Sequence, residues 1–276
     1  IYYTYGGFGS YLSEISSYFK KVHLVAHVKA GNPPDGWYSV CHIKNLKIYH
    51  LLPSSNPLSF FLFLPHTILV SIKALRSVNI AHVRMPDFTG VVGGVLCILL
   101  DLPYFSQIIA DWKLQRDNMM YSHKFYLGTL MKFYYTFYLY FEKFVSSKSI
   151  IFAQGRTCYT RLNKLNKCVF TISSAHSRSH IVNVKEKCYN STIMLLTVGR
   201  LNRVKNQKLV LDAVKLLNDQ KNNLTWNLTI IGSGPKFDYL NQYASRLNIS
   251  NYVKFRGKVP YGNQLFAYFD DSDIFI

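Results

Sequence analysis

The chain has 276 residues and a formal net charge of +18, from 32 Lys and Arg against 14 Asp and Glu, and 49% of it is hydrophobic. That apolar fraction excludes a disordered chain, and the length suits two domains or one large one. The excess of cations attracts polyanions (phosphorylated ligands, anionic lipid surfaces, nucleic acid), but no long uninterrupted basic run occurs, which argues against a nucleic-acid-binding tail.

The chain opens on Ile1 without an initiator Met and stops in the apolar run "DSDIFI" (271–276), so a piece of a longer protein is expected. "GGFGSYLSEISSYF" (6–19) reads as a glycine loop leading into a helix, with Ser10 as N-cap and Leu12, Ile15 and Phe19 on one face. The strand that should precede this loop is expected to lie before residue 1. "VHLVAHV" (22–28) reads as a buried strand and "AGNPPDGWY" (30–38) as a loop. Residues 59–76 look helical around Pro65. "VNIAHVRMP" (78–86) is a strand ended by Pro86, "GVVGGVLCILL" (90–100) a tightly packed helix, and "PYFSQIIAD" (103–111) another strand. The apolar stretches 58–70 and 89–105 are broken by Pro65 and His66, and by Asp101 and Pro103. Both fall short of the roughly 20 apolar residues that cross a bilayer.

"YLGTLMKFYYTFYLYFEKFVSS" (126–147) predicts a long helix whose aromatics run nearly all round. Such a helix is either packed into the core, the expectation here, or set at a membrane surface. "SIIFAQG" (149–155) is a short strand. Periodicity weakens through 160–180, and a domain boundary is placed at about 172–190. The second half alternates cleanly. Strand 192–198 precedes a helix with Leu209, Val210, Ala213, Leu216 and Leu217 on one stripe. Strand 226–232 precedes a helix with Phe237, Leu240, Tyr243, Ala244 and Leu247 on another. Strand 252–257, helix 263–269 and the strand "DIFI" follow. Strands alternating with helices predict parallel sheets and two Rossmann-like α/β domains, 1–180 and 181–276.

Ligands of such sheets sit at the carboxyl ends of the strands. "GRLNRVK" (199–205) places Arg200 and Lys205 in one of these gaps, just before a helix N-terminus. An arginine fork, a mobile ammonium and free helix N–H groups form an anion clamp suited to a diphosphate; two solvated loop cations are the alternative. "GGFG" (6–9) is a second candidate anion site, because glycines let backbone approach a phosphate. In "GSGP" (232–235) the dinucleotide fingerprint fails, since Phe237 stands where a third glycine belongs; a tight turn with Pro235 opening a helix is the simpler reading. His82 reads as a satisfied core residue, and His176 and His180 lack the accompanying ligands of a metal site. The five cysteines are odd in number and form no C-x-x-C, which fits a reducing compartment, with Cys97 a small buried residue.

Residues 193–276 resemble the donor-binding domain of family 4 glycosyltransferases, which have the GT-B fold. The resemblance lies in the G-R-L…K segment, the I-G-x-G-P turn, the F-x-G-x-V segment and the closing D-I-F strand, in that order. "GGFGSYL" is similar to the family's glycine loop and "VRMPDFTG" to a strand-to-helix turn of its acceptor domain.

The resemblance implies two Rossmann-like domains facing a cleft. Residues 1–180 would be the acceptor-side domain without its first strand, and 181–276 a truncated donor-binding domain. It further implies retaining, metal-independent transfer from a nucleotide-sugar to a glycan or lipid-linked acceptor, in surface polysaccharide biosynthesis, with no cofactor besides the donor. Arg200 and Lys205 would hold the diphosphate, Gly6, Gly7 and Gly9 would face it, and Gly199, Gly232, Gly234, Lys258 and Val259 would lie by the donor. Many members carry a histidine after the strand matching 103–111. Here "IIADW" offers Asp111 in its place, as a catalytic or acceptor-contacting group. A glutamate-bearing segment that the family places after the D-I-F strand is not in this sequence. The expected setting is cytoplasmic, with an anionic membrane surface as a further partner and nucleic acid excluded. A catalytically silent nucleotide- or anion-binding module, a GT-B sugar-nucleotide epimerase and a charge-driven nucleic-acid binder are the alternatives. The last predicts steeply salt-dependent binding without nucleotide-sugar preference.

Overall fold

Strands and helices alternate over much of the described chain. The computed structural model describes residues 2–33, 37–54, 57–113, 125–172, 188, 191–220 and 223–276. In order, the first part contains β1 (Tyr3–Tyr5), α1 (Gly6–Ser16), β2 (Val22–His27), β3 (Trp37–Ser39) and β4 (Leu46–Leu51). It continues with α2 (Pro57–Leu62), α3 (Leu64–Leu75), β5 (Ala81–Met85), α4 (Phe88–Leu99), β6 (Tyr104–Ile108), α5 (Phe125–Ser146), β7 (Ile150–Gln154), α6 (Arg156–Leu162) and β8 (Cys168–Thr171). The second part contains β9 (Thr192–Val198), α7 (Gln207–Asp219), β10 (Thr225–Ile231), α8 (Phe237–Arg246), β11 (Val253–Gly257), α9 (Asn263–Asp270) and β12 (Ile274–Phe275).

Contacts divide the chain into two units. One comprises Tyr11–Asn32 and Cys41–Ala175; the other comprises Ile1–Ser10, Pro33–Val40 and His176–Ile276. In the first, β5, β6, β7 and β8 form a four-stranded, all-parallel sheet, and β2 pairs in parallel with β4. Val83, Met85, Ile108, Ile151 and Ala153 from the sheet pack against Val91 and Cys97 of α4, Tyr138 and Val145 of α5, and Cys158 and Leu162 of α6. Gly94 permits the close α4–α5 crossing, because a side chain there would strike Val145. Cys97 is fully buried, as expected, and its thiol is pushed up to about 11 by desolvation. His82 is hydrogen-bonded as expected but only partly buried, at the edge of the core: Nε2 lies 3.1 Å from Gln107 Oε1, and the ring stacks on Phe105.

In the second unit the four-stranded parallel sheet runs β11–β10–β9–β12. Ile193, Leu195, Leu228 and Ile230 meet Leu211 and Val214 of α7 and Leu240 and Ala244 of α8. Asn218 ties the end of α7 to the start of β10: its Nδ2 donates to the Trp226 carbonyl, and its Oδ1 accepts from the Trp226 amide. Asp273 joins β12 to β9, accepting from the Met194 amide at 2.7 Å while its own amide donates to the Met194 carbonyl. β1 and β3 form a separate antiparallel pair in this unit.

Several expectations change. A strand, Tyr3–Tyr5, does precede the glycines, and α1 begins at Gly6, so "GGFG" is the first turn of a helix and Ser10 lies inside it rather than capping it. The reason is distant in sequence: Gly9 lies so close to the Tyr38 ring that a side chain could not fit, which seats the helix on β3. The loop expected over 30–38 therefore contains part of a strand, and β4, α6 and β8 were not foreseen. The buried stripe of α7 is shifted: Gln207, Leu211 and Val214 face the core, while Leu209 and Leu216 are exposed. Pro235 precedes α8 by two positions, since that helix starts at Phe237. In α5, only one side of the aromatic girdle is core. The boundary at about 172–190 and the pair His176 and His180 fall, wholly or for the most part, outside the described residues. No helix among the described residues is long and apolar enough to cross a membrane.

Candidate functional site

The carboxyl ends of β9 and β10 are joined by backbone alone. The Gly199 amide donates to the Ile231 carbonyl at 2.9 Å and the Leu201 amide to the Ser233 carbonyl at 3.0 Å. The Leu201 carbonyl in turn accepts from the Lys236 amide at 3.1 Å. One further bond, from the Gly232 amide to the Gly257 carbonyl at 2.7 Å, brings in the end of β11. Such lacing needs close backbone approach, and the glycines supply it. Gly232 has φ +143°, and a side chain there would strike the Gly199 carbonyl; one on Gly234 would strike the Leu201 carbonyl. Leu201, only 1% exposed, anchors the 199–206 loop in the core beneath.

Between Leu201 and α7 the chain makes a short 3₁₀ turn, Arg203–Lys205, closed by the Asn202 side chain, which accepts from the Lys205 amide at 3.1 Å. Asn206 then takes the left-handed conformation, φ 47°, tolerated by asparagine, and turns the chain into α7. The first side chain of that helix works backwards: buried Gln207 donates from Nε2 to the Arg200 carbonyl at 3.1 Å. Arg200 is thus fixed from both sides at the backbone while its side chain remains exposed. Lys205 is exposed too, and its methylenes lie over Gly199: a Cβ built on that glycine would meet Lys205 Cε at 3.8 Å. Among the described residues no carboxylate pairs with Arg200 or Lys205. A backbone-rigid rim with two uncompensated cations beside a helix N-terminus is suited to a multiply charged anion.

The expected residues therefore distribute as follows. Arg200, Lys205, Gly199, Gly232 and Gly234 meet at one strand-end rim. Lys258 and Val259 follow Gly257 directly, at the end of β11. Gly6, Gly7 and Gly9 lie in the first turn of α1.

Asp111 belongs to the other unit and is engaged there. Its Oδ1 lies 3.2 Å from Arg161 Nε and accepts from the Lys113 amide at 3.0 Å. Arg161 Nη1 also donates to Glu142, a carboxylate with no exposed surface. Burial raises the Glu142 carboxyl above its ordinary range, against the pull of Arg161. Sequence reading missed both Glu142 and Arg161. The available signal was a lone acid inside an aromatic helix, which demands a partner once buried. Gln207 was missed as well, because a polar residue beside a stripe of candidate core residues looks like surface. Among the described residues no group of His, Cys, Asp and Glu could hold a metal ion.

Two units that each carry a four-stranded parallel sheet packed with helices fit the GT-B class of α/β fold, and comparison with known proteins agrees. Residues 183–276 match the family model described as Glycosyl transferases group 1. No curated protein sequence matches the chain. Among solved structures, WaaG, a glycosyltransferase involved in lipopolysaccharide biosynthesis, superposes with TM-score 0.60 at 12% identity, over 99% of this chain and 72% of that one. A glycosyltransferase from Rickettsia africae gives TM-score 0.58 at 11% identity, over 98% and 67%. HepE from Anabaena, solved in complex with UDP, gives 0.52 at 16% identity, over 85% and 60%. The chain thus spans about three fifths of the length of HepE. At these identities the likeness establishes the fold.

Proposed function

We propose that the protein is a glycosyltransferase that moves a sugar from a nucleotide-diphosphate sugar to a glycan or lipid-linked acceptor. The observation that carries this reading is the β9–β10 rim, with Arg200 and Lys205 exposed, backbone-anchored and free of carboxylate partners among the described residues. In such a transfer the leaving nucleoside diphosphate gains negative charge as the sugar–oxygen bond breaks. Fixed cations aimed at that oxygen stabilise the transition state more than the ground state. Arg200 supplies a planar two-point grip and Lys205 a compact charge, a pair able to fill the role of a divalent metal. The family match covers the residues that build this rim, and the neighbour HepE was solved with a nucleoside diphosphate.

In the full reading Gly6, Gly7 and Gly9 offer amides to the diphosphate and Gly199, Gly232, Gly234, Lys258 and Val259 line the nucleoside side. The transfer retains the anomeric configuration, needs no cofactor beyond the donor, and serves surface polysaccharide assembly on the cytoplasmic side. Of the three catalytic candidates, Arg200 and Lys205 bear this reading, and Asp111 already answers to Arg161.

Calorimetry with a panel of nucleoside diphosphates and their sugar conjugates tests the proposal. Arg200→Ala should weaken diphosphate affinity by about tenfold to a hundredfold with the unfolding transition unmoved. Unchanged affinity rejects the clamp. Tight binding of the sugar conjugate without transfer to any glycan or lipid-linked acceptor would instead identify a silent binding module.

A further inference from the structure

We propose that the outward face of α7 is the contact by which two copies of the chain pair about a twofold axis. The inference goes beyond sugar transfer and does not depend on it. α7 buries Gln207, Leu211 and Val214. At about 100° per residue, Leu209 and Leu216 point about 180° away from that side. They are 63% and 67% exposed, and Ala213, also exposed, stands between them. The steps of four and three residues make one apolar seam along the helix, where an ordinary surface helix is polar.

One flank of the seam carries every charge in α7. Lys208, Asp212, Lys215 and Asp219 fall within an arc of about 60°. Lys208 pairs with Asp212 and Lys215 with Asp219, yet all four side chains keep between 32% and 53% of their surface exposed. α8 holds the first pair in place: Tyr243 donates to Asp212 Oδ1 at 2.6 Å, and Lys208 Nζ lies 4.6 Å from the centre of the Tyr243 ring.

The order of these charges identifies the partner. It reads plus, minus, plus, minus, so reversing the helix direction exchanges the signs. Lys208 and Asp219 are equidistant from the midpoint between Ala213 and Val214, and so are Asp212 and Lys215. A twofold axis through that midpoint sets two α7 helices antiparallel, with the charged flank of one beside the same flank of the other. Lys208 then stands opposite the partner's Asp219, and Asp212 opposite the partner's Lys215. The same operation lays Leu209 beside the partner's Leu216, offset by about 3 Å along the helix, so the side chains interdigitate while Ala213 leaves room for close approach. The chain as a whole carries +18, but α7 contributes none of it, and cations farther off are screened at physiological salt. An anionic lipid surface would meet as many carboxylates as ammonium groups on this flank, so a second copy fits the face better.

Sedimentation velocity over a range of protein concentrations provides the test. The unaltered protein should shift from monomer to dimer as concentration rises. The double variant Leu209→Ser, Leu216→Ser should raise the dimer dissociation constant at least about tenfold, with thermal unfolding and nucleotide affinity unchanged. Two further variants read the geometry itself. Lys208→Glu with Lys215→Glu makes the flank wholly acidic, and Asp212→Lys with Asp219→Lys makes it wholly basic. Each alone should stay monomeric, and an equimolar mixture of the two should form a heterodimer. Should a charge variant fail to fold, the leucine variant still decides. A monomer at every concentration overturns the proposal, whether α7 is then bare or covered by another part of the same chain. So does a dimer that the leucine changes leave intact, or a mixture of the two folded charge variants that stays monomeric. Vesicle binding by the monomer that the same leucine changes abolish would overturn it too, by assigning the face to lipid. Nucleotide affinity is read separately, so loss of pairing and loss of the donor site remain distinguishable.

Discussion

The two parallel sheets treat the cations near their strand ends in opposite ways. After β6, Asp111 meets Arg161, which also holds the fully buried Glu142; one guanidinium is thereby enclosed by two carboxylates. After β9, Arg200 and Lys205 are exposed, and the groups around them are backbone amides, carbonyls and the amide side chains of Asn202 and Gln207. Both regions are ordered, but the order comes from different sources. In the first, the charges themselves hold α5, α6 and the β6 loop together. In the second, glycine-permitted backbone bonds do so, and the charges are left for something outside the chain. A cation consumed by structure cannot also neutralise a ligand, so the second region is the one built for binding.

The largest effect expected from this contrast is on stability. Arg161→Met leaves Glu142 buried without its counter-ion, and should cost about 3–5 kcal/mol in denaturant unfolding. The double variant Arg161→Met, Glu142→Leu should recover more than half of that loss, because apolar groups of similar size replace the whole pair. If the single variant were neutral, the ion pair would not be what organises this region.

A smaller effect concerns pH. His82 is partly buried and stacks on Phe105, and desolvation, with help from the nearby Arg84 charge, lowers its pKa from 6.5 to about 4. A depressed folded-state value means that the unfolded chain takes up the proton first. The contribution is fully present above pH 6.5 and is lost as pH falls toward 4, a difference of about 3 kcal/mol. His82→Phe keeps the ring stack and removes the titration. Between pH 7 and pH 4 its stability should fall by about 3 kcal/mol less than that of the unaltered chain. Parallel curves would show that His82 is protonated in place.

These contrasts explain what could be read in the residues beforehand. The β9–β10 rim was legible because its causes are local: apolar runs that stop at glycine, a cation in the gap, and a helix pattern directly after. The Asp111 environment was illegible because Arg161 lies fifty positions away in a stretch of weak periodicity. The start of α1 was missed for the same kind of reason, since Gly9 answers to Tyr38 and not to its sequence neighbours. In α7 leucines occur at several neighbouring helical positions, so periodicity alone could not choose the buried stripe. The choice was made by Gln207, whose amide is needed beneath the Arg200 carbonyl. In α5 the aromatics gave the helix but not its surroundings; a girdle of rings looks the same whether one side or both are covered.

The smallest stability effect, and the sharpest test of the contrast, comes from giving the binding rim a carboxylate of its own. Asn202 accepts from the Lys205 amide through Oδ1. Asn202→Asp preserves the acceptor and the shape, so unfolding should change by no more than about 0.5 kcal/mol. The new negative charge would sit beside Lys205 and within the Arg200 loop, making the β9 region resemble the neutralised one after β6. A like charge this near a bound diphosphate opposes it by about 1 kcal/mol in a solvent-exposed setting. Calorimetry should therefore show an about fivefold weaker diphosphate, and the deficit should shrink as salt is raised. An unaltered affinity in a normally folded Asn202→Asp protein would mean that anions do not bind at this rim, and the bare cations would then be ordinary solvated surface.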